Sequence, residues 1–249
     1  MPFTLVAFTE SQDSAVLTNI AAVADPHVRV VGDDIYVPTY ASNLMGYHFM
    51  GANFTQGQVL SPTLRKTLNI DVDHADLVDE PASPPNDALF PTNPTPLEGG
   101  EALNTQMAED AAGASRVTAL VWFSSGPLAP VTGPIFSIRA TSATTLVANA
   151  WTNGALTLTQ TLPHGTYSVV GMRANSAGLR AARLVFVGLT ERPGCAGVDA
   201  DSDIQDALFR LGGLGSWGTF ANDAPPTVDF FSASADAAET VILDVIKVG

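Results

Sequence analysis

Asp199, Asp201 and Asp203 stand at alternate positions of Asp-Ala-Asp-Ser-Asp, the spacing that opens an EF-hand calcium loop. Carboxylates spaced this way can turn their oxygens toward one hard cation, so these three are the candidate calcium ligands. The pattern then departs from such a loop. Ile204 stands where the sharp turn needs glycine, and Arg210 where the bidentate glutamate belongs. Together with Asp206, the same carboxylates also suit a helix start, where Asp203 caps free N–H groups and negative charge meets the positive end of the dipole. A second acidic group, Asp71, Asp73, Asp76, Asp79 and Glu80 around His74, offers oxygens and one imidazole to a divalent cation, or forms a solvated loop.

Other chemistry finds little to stand on. His27, His48, His74 and His164 are not at zinc-ligand spacing from one another. There is no Gly-x-Ser-x-Gly elbow and no Gly-x-x-x-x-Gly-Lys phosphate loop. The glycines from Gly212 to Gly218 have no strand-to-helix setting and are expected to let the chain turn sharply, with Trp217 and Phe220 against a sheet. Cys195 is the one cysteine, which excludes an intrachain disulfide and is expected to be a small buried residue. Trp122, Trp151 and Trp217 either line a sugar-binding face or fill the core. Catalytic residues and a resident cofactor are not expected.

The net charge of −14 comes from few charges, and only Lys66 and Lys247 are lysines. An acidic chain repels phosphate backbones, which argues against sequence-wide or sequence-specific nucleic-acid binding. The start Met-Pro-Phe-Thr-Leu-Val-Ala-Phe lacks the basic segment of a signal peptide, and no apolar run reaches the roughly 18 residues of a membrane span.

The elements that would position these groups read as strands. Phe3 to Thr9 is one. Gly32-Asp33-Asp34 between Val28, Val30 and Ile35, Val37 signals a hairpin. Tyr47 to Met50 and Leu68 to Val72 are weaker candidates. From Pro81 to Arg116 the chain carries six of its seventeen prolines, then Gly99-Gly100 and a small polar run, so this stretch is expected to be a sheet-free seam or long loop. Beyond it follow Val117–Phe123, Ile135–Arg139, Thr144–Trp151, Ala155–Thr161, Thr166–Met172, Ala182–Gly188, Thr227–Phe231 and Thr240–Val248. Asn153-Gly154 is read as the hairpin turn joining the third and fourth of these. Val241, Leu243 and Val245 alternate with Ile242 and Ile246, which places the last strand inside a sheet. A short helix is expected near 203–211, stopped by Gly212-Gly213. The divisions are 1–80, an abbreviated first β-sandwich; 81–116, the seam; and 117–249, a second sandwich. Leu5-Val6-Ala7-Phe8-Thr9 echoes Leu120-Val121-Trp122-Phe123-Ser124, and Tyr47-His48-Phe49-Met50-Gly51 echoes Tyr167-Ser168-Val169-Val170-Gly171.

With Trp217-Gly218-Thr219-Phe220, Val228-Asp229-Phe230-Phe231 and the last strand, the C-terminal part resembles an icosahedral virus coat protein. Two echoing halves resemble the double jelly-roll major capsid proteins of tailless viruses. The resemblance implies an all-β, antiparallel fold with two jelly rolls in tandem; one jelly roll with a long N-terminal elaboration is the alternative. It implies a homotrimer that tiles a shell through lateral contacts, with 81–116 at subunit contacts. It also implies a place in the virion, assembled in the host cytoplasm, beside other virion proteins. A carbohydrate- or receptor-binding sandwich of a phage fibre or tail is the competing class.

Overall fold

Alternation of apolar residues decides which stretches pair. In Ala102–Glu109, Leu103, Thr105 and Met107 are buried while Asn104 and Gln106 are half-buried on the other face, the period-two pattern of a strand. The protein is described here by a computed structural model covering residues 3–68, 72–75, 87–110, 113–197 and 208–249. The described residues divide into two compact units, Val6–Ser124 and Ser125–Gly249, and residues before Val6 group with the second.

The first unit is built from β1 (Phe3–Gln12), β2 (Thr18–Ile20), β3 (Val30–Val31), β4 (Asp34–Tyr36), β5 (Asn43–Met50), β6 (Phe54–Leu60), β7 (Val72–Ala75), β8 (Asp87–Leu89), β9 (Thr95–Pro96), β10 (Ala102–Glu109) and β11 (Ser115–Ser124). One sheet runs β1-β11-β5-β8, with β9 also on β5; the other runs β3-β4-β10-β6-β7, with β2 also on β10. Taking β2 to β4 as one broken second strand and β8 with β9 as one broken sixth strand, eight strands nest. The first pairs the last, the second the seventh, the third the sixth, the fourth the fifth. That is a long antiparallel hairpin folded over on itself, a jelly roll.

The second unit repeats the scheme with β12 (Phe136–Ser142), β13 (Trp151–Gly154), β14 (Thr157–Leu158), β15 (Thr166–Asn175), β16 (Leu179–Val185), β17 (Gly194–Ala196), β18 (Gly218–Ala221), β19 (Thr227–Ser232) and β20 (Glu239–Lys247). Its sheets are β14-β12-β20-β15-β18 and β13-β19-β16-β17. With β14 as an outrigger on β12, the same four nested pairs appear: β12·β20, β13·β19, β15·β18 and β16·β17. The chain is therefore two complete antiparallel jelly rolls in tandem, and the alternative of one roll with an N-terminal elaboration falls away.

Both rolls have apolar interiors. Val6, Phe8, Ile35, Phe49, Val59, Met107, Val121 and Phe123 form the first core. In the second, Ile138, Val169, Met172, Val241, Leu243 and Val245 are essentially inaccessible. β20 lies between β12 and β15, which accounts for its apolar residues on both faces.

Several readings need correction. The first roll is not abbreviated, and it ends at Ser124. The stretch 81–116 is not a sheet-free seam: residues 81–86 lie outside the described residues, but β8, β9, β10 and the start of β11 belong to the first roll. Val117–Phe123 closes that roll rather than opening the second. Pro96 sits where proline is tolerated, in the two-residue β9, paired to the end of β5. The Gly32 hairpin forms as expected, with Val30 opposite Ile35 and Gly32 at φ +62°.

Asn153-Gly154 is not a turn. Both residues lie within β13, paired to Asp229 and Val228. Gly154 is there for closeness: a Cβ would stand 2.7 Å from Ser142 Oγ, 2.9 Å from Thr144 Oγ1 and 3.1 Å from the Phe230 ring. Gly154→Ala is expected to cost about 1–2 kcal/mol by overpacking. Chemical denaturation measures it, and an unchanged midpoint would mean the strands separate freely.

Candidate functional site

A charged residue inside an apolar strand must find a partner, because an isolated buried charge is prohibitively unfavourable. Three such residues, Arg183, Asp229 and Asp244, and one buried glutamate, Glu239, organise the second roll.

Arg183 stands in Ala181-Ala182-Arg183-Leu184-Val185 and Asp229 in Val228-Asp229-Phe230-Phe231. Strand pairing sets them opposite each other, with Asn153 on the far side of Asp229. Arg183 Nε donates to Asp229 Oδ2 at 3.1 Å, and Asn153 Nδ2 donates to Oδ1 at 2.8 Å. The Arg183 guanidinium lies 4.0 Å from the Trp151 ring centroid, and its Nη1 donates to the Leu5 carbonyl at 3.0 Å. Arg183 is wholly buried. This row lies on the sheet face opposite Val228 and Phe230. It holds the N-terminal strand together with Leu5 N–H donating to Arg192 O, and Arg192 N–H donating to Thr4 Oγ1. Phe3 completes the joint, edge-on to Trp217 at 5.0 Å and tilted against Phe209.

Asp244 lies on the opposite face of β20 from Leu243 and Val245. Arg210 donates to it twice, Nε at 2.6 Å and Nη2 at 3.1 Å; Ser137 Oγ donates at 2.6 Å and Leu211 N–H at 2.9 Å. Burial alone would raise its pKa. The Arg210 hydrogen bonds, those of Ser137 and Leu211, and the Arg210 charge together outweigh burial and hold the carboxyl below the usual aspartate value. Gly171 is needed here, at a bulge of β15, since a Cβ would meet Asp244 Oδ2 at 2.7 Å and the Arg210 backbone at 2.9 Å.

Glu239 shares the interior face of β20 with Val241, Leu243 and Val245 and has no exposure. It is paired across to Ser142. Asp236 precedes it, accepting from Ser176 Oγ, Ala177 N–H and Ala237 N–H.

Most of the residues singled out by spacing lie outside the described residues. Asp199, Asp201, Asp203 and Asp206 lie outside the described residues, as does most of the 203–211 helix; Leu208 and Phe209 are its helical remainder. Of the Asp71–Glu80 group, Asp71, Asp76, Asp79 and Glu80 also lie outside them, and Asp73 and His74 are in β7. Among the described residues no three His, Cys, Asp or Glu side chains come together as a metal site. Cys195 is buried, as expected. The tryptophans do not share a face. Trp122 belongs to the first unit and Trp151 and Trp217 to the second; Trp122 and Trp217 are fully buried, and Trp151 is packed on Arg183 and Phe231. A stacking platform for sugars needs exposed rings, so the three form none. Gly212 and Gly215, at φ +87° and +79°, turn the chain, and Trp217 and Phe220 pack on the sheet as anticipated.

Spacing missed the charges that matter. Their signal was present: single charges set in otherwise apolar strands, one arginine and two aspartates, which burial obliges to pair. Their arrangement ties strands and segments together; it presents no nucleophile and base to a cleft. Among the described residues no helix is long and apolar enough to cross a membrane.

The sequence matches no protein-family model and no curated protein. Among solved structures it is similar to the major capsid protein P2 of bacteriophage PM2, with 12% identity over 99% of this chain and 98% of that one, at a TM-score of 0.26. It is also similar to a Paenibacillus xanthan lyase, with 11% identity over 96% of this chain but 25% of that one, at a TM-score of 0.24. Neither superposition is close enough to establish a shared fold, and the strand order above stands without them.

Proposed function

We propose that this chain is a major capsid protein, a structural protein that self-assembles into the shell of an icosahedral virion. The carrying observation is the tandem repetition of one complete jelly roll, with the same four nested strand pairs in each copy. Jelly rolls serve as shell and binding domains, and they limit free strand edges, so subunits associate through loops and side chains rather than by runaway sheet extension. Two further features support the reading. The buried charged groups of the second roll are engaged in holding strands together, as a structural protein requires. The surface suits protein contacts: lysine, depleted at interface cores, occurs twice in the chain, and Val16, Val31, Val147, Val187 and Val248 are exposed.

The building block is a homotrimer whose lateral contacts tile the shell, since closed symmetry is the common outcome for like subunits and a shell needs contacts between closed units. The coat does not itself condense the genome, in keeping with its acidity. It acts without a catalytic centre or resident cofactor and resides in the virion.

Light scattering on protein released gently from its assembly is expected to give a trimer, and negative-stain microscopy of the concentrated protein to show particles. A stable monomer at high concentration that forms no particles and binds a specific glycan would overturn the proposal in favour of a carbohydrate- or receptor-binding sandwich.

A further inference from the structure

Glu239 is an anomaly in the interior of the second roll. It sits at the start of β20, on the face that otherwise carries Val241, Leu243 and Val245, and it is fully buried. Neither carboxylate oxygen has a well-formed hydrogen bond. Such a carboxylate is strongly destabilised when ionised unless something neutralises it.

The surroundings offer little neutralisation. Ser142 faces Glu239 across the β12·β20 pair. Gly154 of β13 packs closely against Ser142 Oγ and Thr144 Oγ1, so neutral hydroxyls lie on that side. Among the neighbouring elements, Arg139 of β12 and Arg173 of β15 both pair with Ile242 and so lie on the other face, as does Asp244. Asp229 of β19 is committed to Arg183. The remaining charged neighbour is Asp236, of the wrong sign. Its three hydrogen bonds, led by that of Ser176, lower its pKa and keep it ionised. For Glu239, burial is the leading influence and raises the pKa, and Asp236 adds to it; Ser142 and the N–H groups of Glu239 and Ala238 oppose them without prevailing. The pKa values of two neighbouring carboxyls are thus moved in opposite directions, that of Asp236 down and that of Glu239 up.

We propose that Glu239 is a proton-operated latch: as a neutral acid it seals the end of the second roll, and its ionisation loosens the joint between β20, the 142–149 segment and the 233–238 turn. The joint has few ties of its own. Leu146 N–H donates to Asp236 O and Asn149 N–H to Ser232 O, both at 2.7 Å, and Ser176 and Ala177 hold the Asp236 carboxylate. An ionised Glu239 must draw in water or move outward, and either course strains these bonds. The sign follows from the raised native pKa. The latch's contribution is complete below the ordinary glutamate value, about 4.3, and is lost as pH rises through the native value. This holds for a single subunit and does not depend on assembly.

Three measurements on the full chain test it. Infrared spectroscopy at about pH 6, where ordinary carboxyls are ionised, is expected to show the carbonyl band of one neutral carboxylic acid in the wild type, absent in Glu239→Gln. Thermal midpoints across pH 4.5 to 8 are expected to fall in the wild type relative to Glu239→Gln, with the gap widening as pH rises. Amide exchange at Leu146 and Asn149, corrected for its intrinsic pH dependence, should accelerate over the same range in the wild type alone. Absence of the neutral-acid band from the wild type overturns the proposal even if the variant fails to fold. So does an ionised carboxyl whose stability deficit millimolar calcium removes, since a cation would then occupy the pocket.

Discussion

Asp229→Ala is expected to destabilise the protein by about 3–5 kcal/mol, among the largest effects open to a single substitution here. The magnitude comes from what is left behind. Arg183 is wholly buried, and its Nε is paired with the Asp229 carboxylate at 3.1 Å. Removing that carboxylate takes an ionic partner from a guanidinium that has no solvent to replace it. Asn153 also loses one of its two acceptors and keeps Thr227 Oγ1. Denaturant unfolding of the purified protein measures the cost. The pair is not therefore a large net source of stability, because bringing both charges out of water nearly offsets their attraction. The double variant Arg183→Met, Asp229→Leu is accordingly expected to regain much of the loss, short of the part due to the unpaired Leu5 carbonyl. A single-variant cost under about 1 kcal/mol would show that solvent reaches Arg183 and that the node does not hold the strands.

The strands themselves were largely legible, and their pairing was not. Phe3–Thr9, Tyr47–Met50, Thr166–Met172 and Thr227–Phe231 fall within strands, and Thr240–Val248 overruns β20 by one residue, because dense β-branched and aromatic residues suit a pleated, buried surface. Pairing in a jelly roll is nested and long-range, so the first strand finds the last across more than a hundred residues, and no local signal reports it. The echo of Tyr47–Gly51 in Tyr167–Gly171 was sound: β5 and β15 are the third strands of their rolls. The echo of Leu5–Thr9 in Leu120–Ser124 was not, since β1 and β11 are neighbours in one sheet. The better match for β1 was Phe136-Ser137-Ile138-Arg139-Ala140-Thr141-Ser142, which follows Phe3-Thr4-Leu5-Val6-Ala7-Phe8-Thr9 in its aromatic, hydroxyl and alanine positions. It would have put the boundary near Ser125.

Two errors share one cause. Ala102–Glu109 was passed over because small and amide residues dilute its hydrophobicity, although Leu103, Thr105 and Met107 keep the two-residue period. Asn153-Gly154 was taken for a turn because local propensity is blind to what the strand packs against. Asn153 was placed to reach Asp229 and Gly154 to admit Ser142 and Phe230. Tertiary context decided both, and composition carries none of it. The charged nodes were legible in principle, since Arg183, Asp229 and Asp244 each interrupt an apolar strand. Which pairs with which required the register.

Asp244→Asn is expected to cost about 3 kcal/mol at neutral pH, with the loss vanishing in acid. The carboxylate accepts four hydrogen bonds, two from Arg210, one from Ser137 and one from Leu211 N–H. An asparagine must turn an NH₂ toward donors and takes the Asp244 charge away from Arg210. The Leu211 bond matters beyond its own strength, because Leu211 is held at φ +52°, a conformation costly for a branched side chain. Without the anchor the 208–215 segment is free to relax away from the sheet. The pH dependence follows from the depressed native pKa. The wild type has the full contribution above the unfolded value, about 3.9, and loses it as pH falls through the lower native value, so the two curves converge there. Glu239, on the same strand, has the opposite slope. Guanidinium unfolding of wild type, Asp244→Asn and Glu239→Gln from pH 2 to 8 separates them, with the first pair diverging as pH rises from acid and the second as pH rises toward neutrality. A constant gap between wild type and Asp244→Asn down to pH 2 would mean that shape, not charge, holds Arg210 in place.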